Sequence, residues 1–215
     1  MTFGEQAAVA LQFSDNTCAV AVASWGSGRV VAFPKHNALV EYMDEGDTAK
    51  LVFNAIRWSV GAVNTSAISI AVVNTDTHKY LALLGISATL VVPQSLTSVI
   101  LAKHHALVIG SLIDTLSHDQ ARLLHDPIAD FVAGGGGLLV GDTGWGWRVW
   151  WGGIDKCMGN KMLREAGILF RDNYNARYTG SNGVVNVGTD AVAATSNSPV
   201  QGLSEPVCRV PRWLL

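Results

Sequence analysis

Three apolar runs of this 215-residue chain end in residues that can do chemistry. Asn74, Thr75, Asp76 and Thr77 follow ISIAVV (68–73), Ser111 and Asp114 follow ALVIG (106–110), and Asp142 and Thr143 follow LLV (138–140). Each run reads as a parallel strand buried on both faces, and open α/β sheets bind ligands outside the carboxyl ends of such strands. Carboxylates gathered at adjacent strand ends suit general acid–base work. His36, just after RVVAFPK, adds an imidazole that can face the same cleft. Asp142, Thr143 and His36 are therefore the candidate catalytic residues, although strand-end Asp residues also cap helices and a single His specifies little.

Nucleophilic catalysis asks for Ser or Cys on a tight strand-to-helix turn, with a His partner. The turn after Val140 reads G-D-T-G-W and holds neither. Thr143 supplies a hydroxyl, but its branched side chain fits a strained elbow poorly. Cys157 lies further on, beside Lys156, and reads as a structural thiol. Metal chemistry has no H-E-x-x-H and no Cys/His pair at zinc spacing. His104-His105 precede a strand, and His118 and His125 stand seven apart on one helix, too far apart to share an ion. No metal and no cofactor is expected. Gly134 to Gly137 look like a phosphate loop, yet they precede a strand, whereas such loops follow one and open a helix. They read as a helix C-cap and a turn into LLV.

The most unusual stretch is GDTGWGWRVWWGG, which carries Trp145, Trp147, Trp150 and Trp151, four of the seven tryptophans, with Arg148 among them. Indole faces stack on sugar rings or on a partner's apolar anchors, and Arg148 can add a cation–π contact. The opposing reading is a lid whose rings pack on the sheet end, each indole N–H finding an acceptor.

These residues need elements to position them. CAVAVASW and RVVAF, joined through Gly26-Ser27-Gly28, predict a hairpin over 18–33. Asp47 or Thr48 opens a helix to Val60 with Gly61 at C′, apolar enough all round to be covered on both sides. Short helices are expected near 78–84 and 95–103, with strands at ATLVV (88–92) and ALVIG. Ser117 and Gln120 form a capping box for a longer helix, which Pro127 should kink or restart. NKMLREAG (160–167) reads as a helix, VVNV (184–187) as a strand, and 188–206 as loop. Alternating strands and helices imply right-handed βαβ units, hence a doubly wound, flavodoxin-like α/β layer sandwich over about 66–170 with a β-rich segment before it. The expected division is a hairpin-plus-helix segment at 1–62 packing on the core, an α/β domain at 63–175, and an irregular segment at 176–215. Both ends read as cuts through a larger architecture.

Composition excludes several classes. Apolar residues make up 49% and charged ones 15%, which rules out a disordered chain. Fifteen basic against seventeen acidic residues leave a net charge of −2, so no basic field is expected to hold nucleic acid. No apolar run reaches the roughly 18 residues of a membrane span. The N-terminus lacks the basic region of a signal peptide. Three scattered cysteines give no disulfide framework. A cytoplasmic or membrane-peripheral location is expected rather than secretion.

Two stretches together resemble the N-terminal region of the TRP-channel-associated factor family. One is GRVVAFPKH (28–36) with DTAKLVFNAIRW (47–58); the other is FVAGGGGLLVGDTGWGW (131–147) with GNKMLREAGI (159–168). The resemblance spans about 18–170 and implies a class I glutamine amidotransferase-like domain preceding an enhancin-like zinc peptidase domain. A more distant likeness is to trehalose-utilisation-type domains. Amidotransferases use a Cys where Asp142 and Thr143 stand here, so that activity is not expected, and peptidase activity does not carry over without H-E-x-x-H. Some family members bind a cold-sensing cation channel, which makes a channel a partner by resemblance. Trp145, Trp147, Asn160 and Lys161 stand at matching positions. The favoured reading is a non-catalytic binding or scaffold domain whose aromatic strand end, with Trp145, Trp147, Arg148, Trp150, Trp151, Asn160 and Lys161, meets a protein or glycan partner. The other reading is a divergent small-molecule hydrolase or transferase using strand-end carboxylates.

Overall fold

A computed structural model of the chain describes residues 2–13, 18–41, 46–61, 67–112, 116–171 and the backbone of 191–193. Asp114 and the VVNV run lie outside these described residues. In chain order the elements are β1 (Ala7–Phe13), β2 (Cys18–Trp25), β3 (Gly28–Phe33), α1 (Asn37–Val40), α2 (Thr48–Val60), β4 (Ile70–Val72), α3 (Thr75–Leu83), β5 (Thr89–Leu90), α4 (Ser98–Leu101), β6 (Ala106–Ile109), α5 (His118–Ala133), β7 (Gly137–Gly141), α6 (Gly144–Trp150), α7 (Met158–Leu163) and β8 (Ala191–Ala193).

The described strands join one eight-stranded sheet in the order β5-β4-β6-β7-β3-β2-β1-β8. The five from β5 to β3 are parallel, and β2, β1 and β8 extend the sheet antiparallel. The fold is thus mixed α/β with a mostly parallel sheet. Alternate residues of each central strand feed opposite cores, as a pleated strand requires. Leu138 and Val140 join α5 and α7 through Ile128, Val132, Met162 and Leu163. Leu139 faces the other way, onto Leu51, Val52 and Ile56 of α2 and Leu81 of α3. Burial on both faces explains why these strands read as continuous apolar runs.

The predicted hairpin is present, and its second strand pairs parallel with β7, Val31 opposite Leu139 and Phe33 opposite Gly141. That register puts the residues after Phe33 and those after Gly141 at one end of the sheet. The capping box of Ser117 and Gln120 forms, with Ser117 Oγ accepting from Gln120 N–H and Gln120 Oε1 accepting from Ser117 N–H.

Several local expectations need correction. Pro127 does not restart α5, which runs from His118 to Ala133. The helix after β4 begins earlier, at Thr75, because Asn74 caps it by accepting from the N–H groups of Asp76 and Thr77. ATLVV forms a strand only at Thr89–Leu90, on the sheet edge; Val91 N–H still donates to Val72 O at 2.8 Å, and Val92 is left facing solvent. Residues 188–206 are not all loop, because Ala191–Ala193 pair with β1. The second side of α2 is only half covered, with the Arg57 guanidinium 5.8 Å over the Phe53 ring. No helix among the described residues is long and apolar enough to cross a membrane.

Candidate functional site

The pairing of β3 with β7 delivers His36, Asp142 and Thr143 to one place. Asp142 N–H donates to Phe33 O, fixing the two strand ends together at 3.2 Å. Thr143 then opens α6 and lies almost fully buried, its Oγ1 2.6 Å from His36 Nδ1. Sequence order alone hides this pair, since its members are 107 residues apart.

Asp142 is fully buried, and both carboxylate oxygens are engaged. Oδ1 accepts from Thr143 N–H at 2.7 Å and from Trp147 Nε1–H at 2.9 Å. Oδ2 accepts from Gly159 N–H at 3.2 Å and from the Cys157 thiol at 3.3 Å. Burial pushes the Asp142 carboxyl above its ordinary range, and the four donors pull against that rise. Burial and the neighbouring carboxylate also push the Cys157 thiol far up. One acidic side chain thereby ties the turn after β7 to α6 and to the start of α7. Gly159 must lack a side chain, because a Cβ there would lie 2.8 Å from Asp142 Oδ2 and 2.5 Å from the Phe170 ring. Asn160 braces the same corner, its Oδ1 accepting from Phe170 N–H at 2.6 Å and its Nδ2 donating to Phe170 O at 3.0 Å.

The tryptophans divide. Trp147 is 1% exposed, its indole wedged between Asp142, the His118 ring at 5.3 Å and the Trp151 ring at 5.9 Å. Trp150 and Trp151 are 64% and 48% exposed, and Val149 between Arg148 and Trp150 is equally open. Trp145, half-buried, packs on Trp150 at 4.7 Å between ring centroids. Arg148 and Lys161 are exposed. Trp145 and Trp150 thus pack together on the outside, Val149 and Trp151 are exposed on the same segment, and Trp147 with Asp142 lies within, against the Trp151 ring.

The remaining candidates divide: the β6–β7 register places Ser111 beside Asp142, whereas Asp76, His125 and the His104–His105 pair lie elsewhere. Asp76 is exposed on the first turn of α3, ion-paired to Lys79 at 2.9 Å. Ser111 is buried. His125 pairs with Asp126 on the surface, and His104 and His105 stand at the opposite end of the sheet beside Ser69. Among the described residues no three His, Cys, Asp or Glu side chains gather around a common point. The crevice over β6 and β7 is filled by the protein itself. A Cβ on Gly110 would collide with Thr77 Oγ1 and Val40, and one on Gly141 with Gly110 O and the His36 Cα. Sequence reasoning missed the Cys157 and Gly159 contacts to Asp142. The only available sign was that a Gly-Asn pair, Gly159-Asn160, sits in the second matched stretch.

Comparison with known proteins gives two results. The family profile TCAF_N, described as the TRPM8 N-terminal domain, matches residues 2–182. Three solved structures, all of the IMPa metallopeptidase, share the fold. IMPa from Pseudomonas aeruginosa in complex with an O-glycopeptide aligns with a TM-score of 0.54 and 14% identity over 76% of this chain. IMPa in complex with T-antigen gives 0.54 and 15%, and IMPa from Pseudomonas aeruginosa gives 0.51 and 16%. In each case this chain spans 18% of the peptidase's length. A search of curated proteins found no match.

Proposed function

The chain belongs to the TRP-channel-associated factor N-terminal family, TCAF_N, and from that premise we propose that it is a non-catalytic, amidotransferase-like scaffold domain that offers its outer tryptophan face to a protein or glycan partner. The observation that carries this reading is the state of Asp142. Where a catalytic carboxylate needs a free oxygen facing substrate, both oxygens here accept hydrogen bonds from the protein's own Thr143, Trp147, Cys157 and Gly159. Thr143 beside it is buried, and the backbones of Gly110 and Gly141 are packed over by Val40 and His36. This supports a strand end shaped for rigidity rather than for turnover. A flavodoxin-like sheet would place a ligand at that crevice. In this chain the four strands β5-β4-β6-β7 follow such an order, but the next position is taken by β3 from earlier in the sequence.

Trp145, Val149, Trp150 and Trp151 are the complementary half of the argument, since exposed indoles beside an Arg are the residue types that dominate binding surfaces. The family's channel association and the glycopeptide complexes of the structural relatives supply the two probes: the TRPM8 channel protein and an O-glycosylated peptide. Trp150→Ala with Trp151→Ala is expected to weaken the interaction more than ten-fold while the protein still unfolds in one cooperative transition. Interfacial hot-spot tryptophans cost about 2 kcal/mol each when truncated.

The Thr143 Oγ1–His36 Nδ1 contact of 2.6 Å favours a second reading, a hydrolase or transferase in which His36 activates Thr143. Under the scaffold reading Thr143→Val leaves any p-nitrophenyl acetate turnover at the wild-type level. A loss of 100-fold or more in kcat would instead establish the hydroxyl as a nucleophile.

A further inference from the structure

The His104-His105 pair and the glycine run are left unused by the tryptophan face, and the fold brings them together. Both lie at the amino ends of β6 and β7, opposite the Asp142 corner. They line a cleft of about 420 Å³ with Ser98, Asp130 and Phe131. That volume is within the usual range for small-molecule sites.

Ser69 sets the two imidazoles in opposite tautomers. Its backbone N–H donates to His105 Nδ1 at 3.0 Å, so the proton of neutral His105 is on Nε2, which becomes a donor. Its hydroxyl lies 3.2 Å from Lys103 O and 2.9 Å from His104 Nδ1; with the hydroxyl proton assigned to Lys103 O, Ser69 Oγ accepts from His104 Nδ1–H and His104 Nε2 is an acceptor. Burial, with Lys103 and His105 nearby, holds His104 below the ordinary imidazole range. Adjacent residues thus supply one donor and one acceptor, the combination a hydroxyl group satisfies. The exposed Asp130 carboxylate adds a further acceptor on α5. The Phe131 ring packs against Gly136, where a Cβ would collide with it, and gives the cleft an apolar wall.

The chemistry also excludes other ligands. The N–H groups of Gly134, Gly135, Gly136 and Gly137 all donate within the protein at 2.9 Å, to Asp130, Val132, Phe131 and His105 carbonyls, so none is left for a phosphate. Among the described residues no Lys or Arg lines the cleft. The histidines and Asp130 do not gather around a common point as metal ligands would.

We propose that this cleft binds a neutral polyhydroxylated ring compound of monosaccharide size, hydrogen-bonded by His104, His105 and Asp130 against Phe131. The site is separate from the tryptophan face and stands or falls independently of it. The test is NMR titration of the full chain, following the His104 and His105 ring signals with galactose, N-acetylglucosamine, inorganic phosphate and Zn²⁺. A sugar should shift both rings saturably. Asp130→Ala, at an exposed helix position, should weaken that sugar about ten-fold, the loss of one charge-assisted hydrogen bond. The Trp150→Ala/Trp151→Ala variant should bind the sugar as wild type does. Response to phosphate or Zn²⁺ but to neither sugar would overturn the proposal, as would no response at all or a sugar response unchanged by Asp130→Ala.

Discussion

Replacing Asp142 with alanine would leave Thr143 N–H, Trp147 Nε1–H, Gly159 N–H and the Cys157 thiol facing an empty position in the interior. Leaving buried donors unsatisfied is costly, so Asp142→Ala should lower unfolding stability by about 3 kcal/mol in urea melts. The pH dependence separates the carboxyl from a neutral isostere. Because burial raises its folded pKa, the folded protein keeps the Asp142 proton where the unfolded chain has released it. The stabilisation is therefore full below the ordinary value of 3.8 and is lost as pH rises through the folded pKa. The stability advantage of wild type over Asp142→Asn should shrink from about pH 3.5 upward in the same melts. An advantage that grows with pH would mean that the hydrogen bonds outweigh desolvation. At this scale the sequence marked Asp142 and His36 as strand-end groups, but their partners were invisible. Cys157 and Gly159 reach Asp142 from 15 and 17 residues away across a turn that no local pattern encodes.

Secondary structure was legible where local signals were strong. The apolar runs of β4, β6 and β7, the Gly61 C-cap and the Ser117–Gln120 box all had physical causes within a few residues. Ser117→Ala removes one side of that box and should destabilise the fold by about 1 kcal/mol in the same urea assay. Where tertiary pairing decided, the sequence was silent. ATLVV has strand-like composition, yet at the sheet edge the strand spans only Thr89 and Leu90, with Val91 N–H giving one further hydrogen bond to Val72 O of β4. Ala191–Ala193 sit in small, polar sequence, yet they become a strand because β1 offers an open edge. The tryptophan division had a signal that composition concealed. Trp145 and Trp147 are two positions apart on α6, and residues at that spacing face different ways on a helix, so the four rings cannot form one flat platform.

For the whole molecule, the register of β3 against β7 is the decisive feature. It brings a segment from the first third of the chain beside the turn from the middle, and the antiparallel strands β2, β1 and β8 then widen the sheet beyond the parallel core. The order of predicted strands made an α/β class readable. It gave no sign that the early hairpin would insert directly beside β7, because strand adjacency depends on contacts about a hundred residues apart. The result is a molecule whose two sheet ends differ. At one end an internally saturated acid holds an exposed aromatic face; at the other lies an open cleft lined by histidines. The measurement that tests the account most directly is biolayer interferometry of the immobilised full chain, wild type against Trp150→Ala/Trp151→Ala, titrated with the TRPM8 channel protein and with an O-glycosylated peptide. The account predicts that one of these probes binds wild type and loses more than ten-fold in affinity to the double variant. Equal binding by both proteins, or no binding of either probe to wild type, would contradict it.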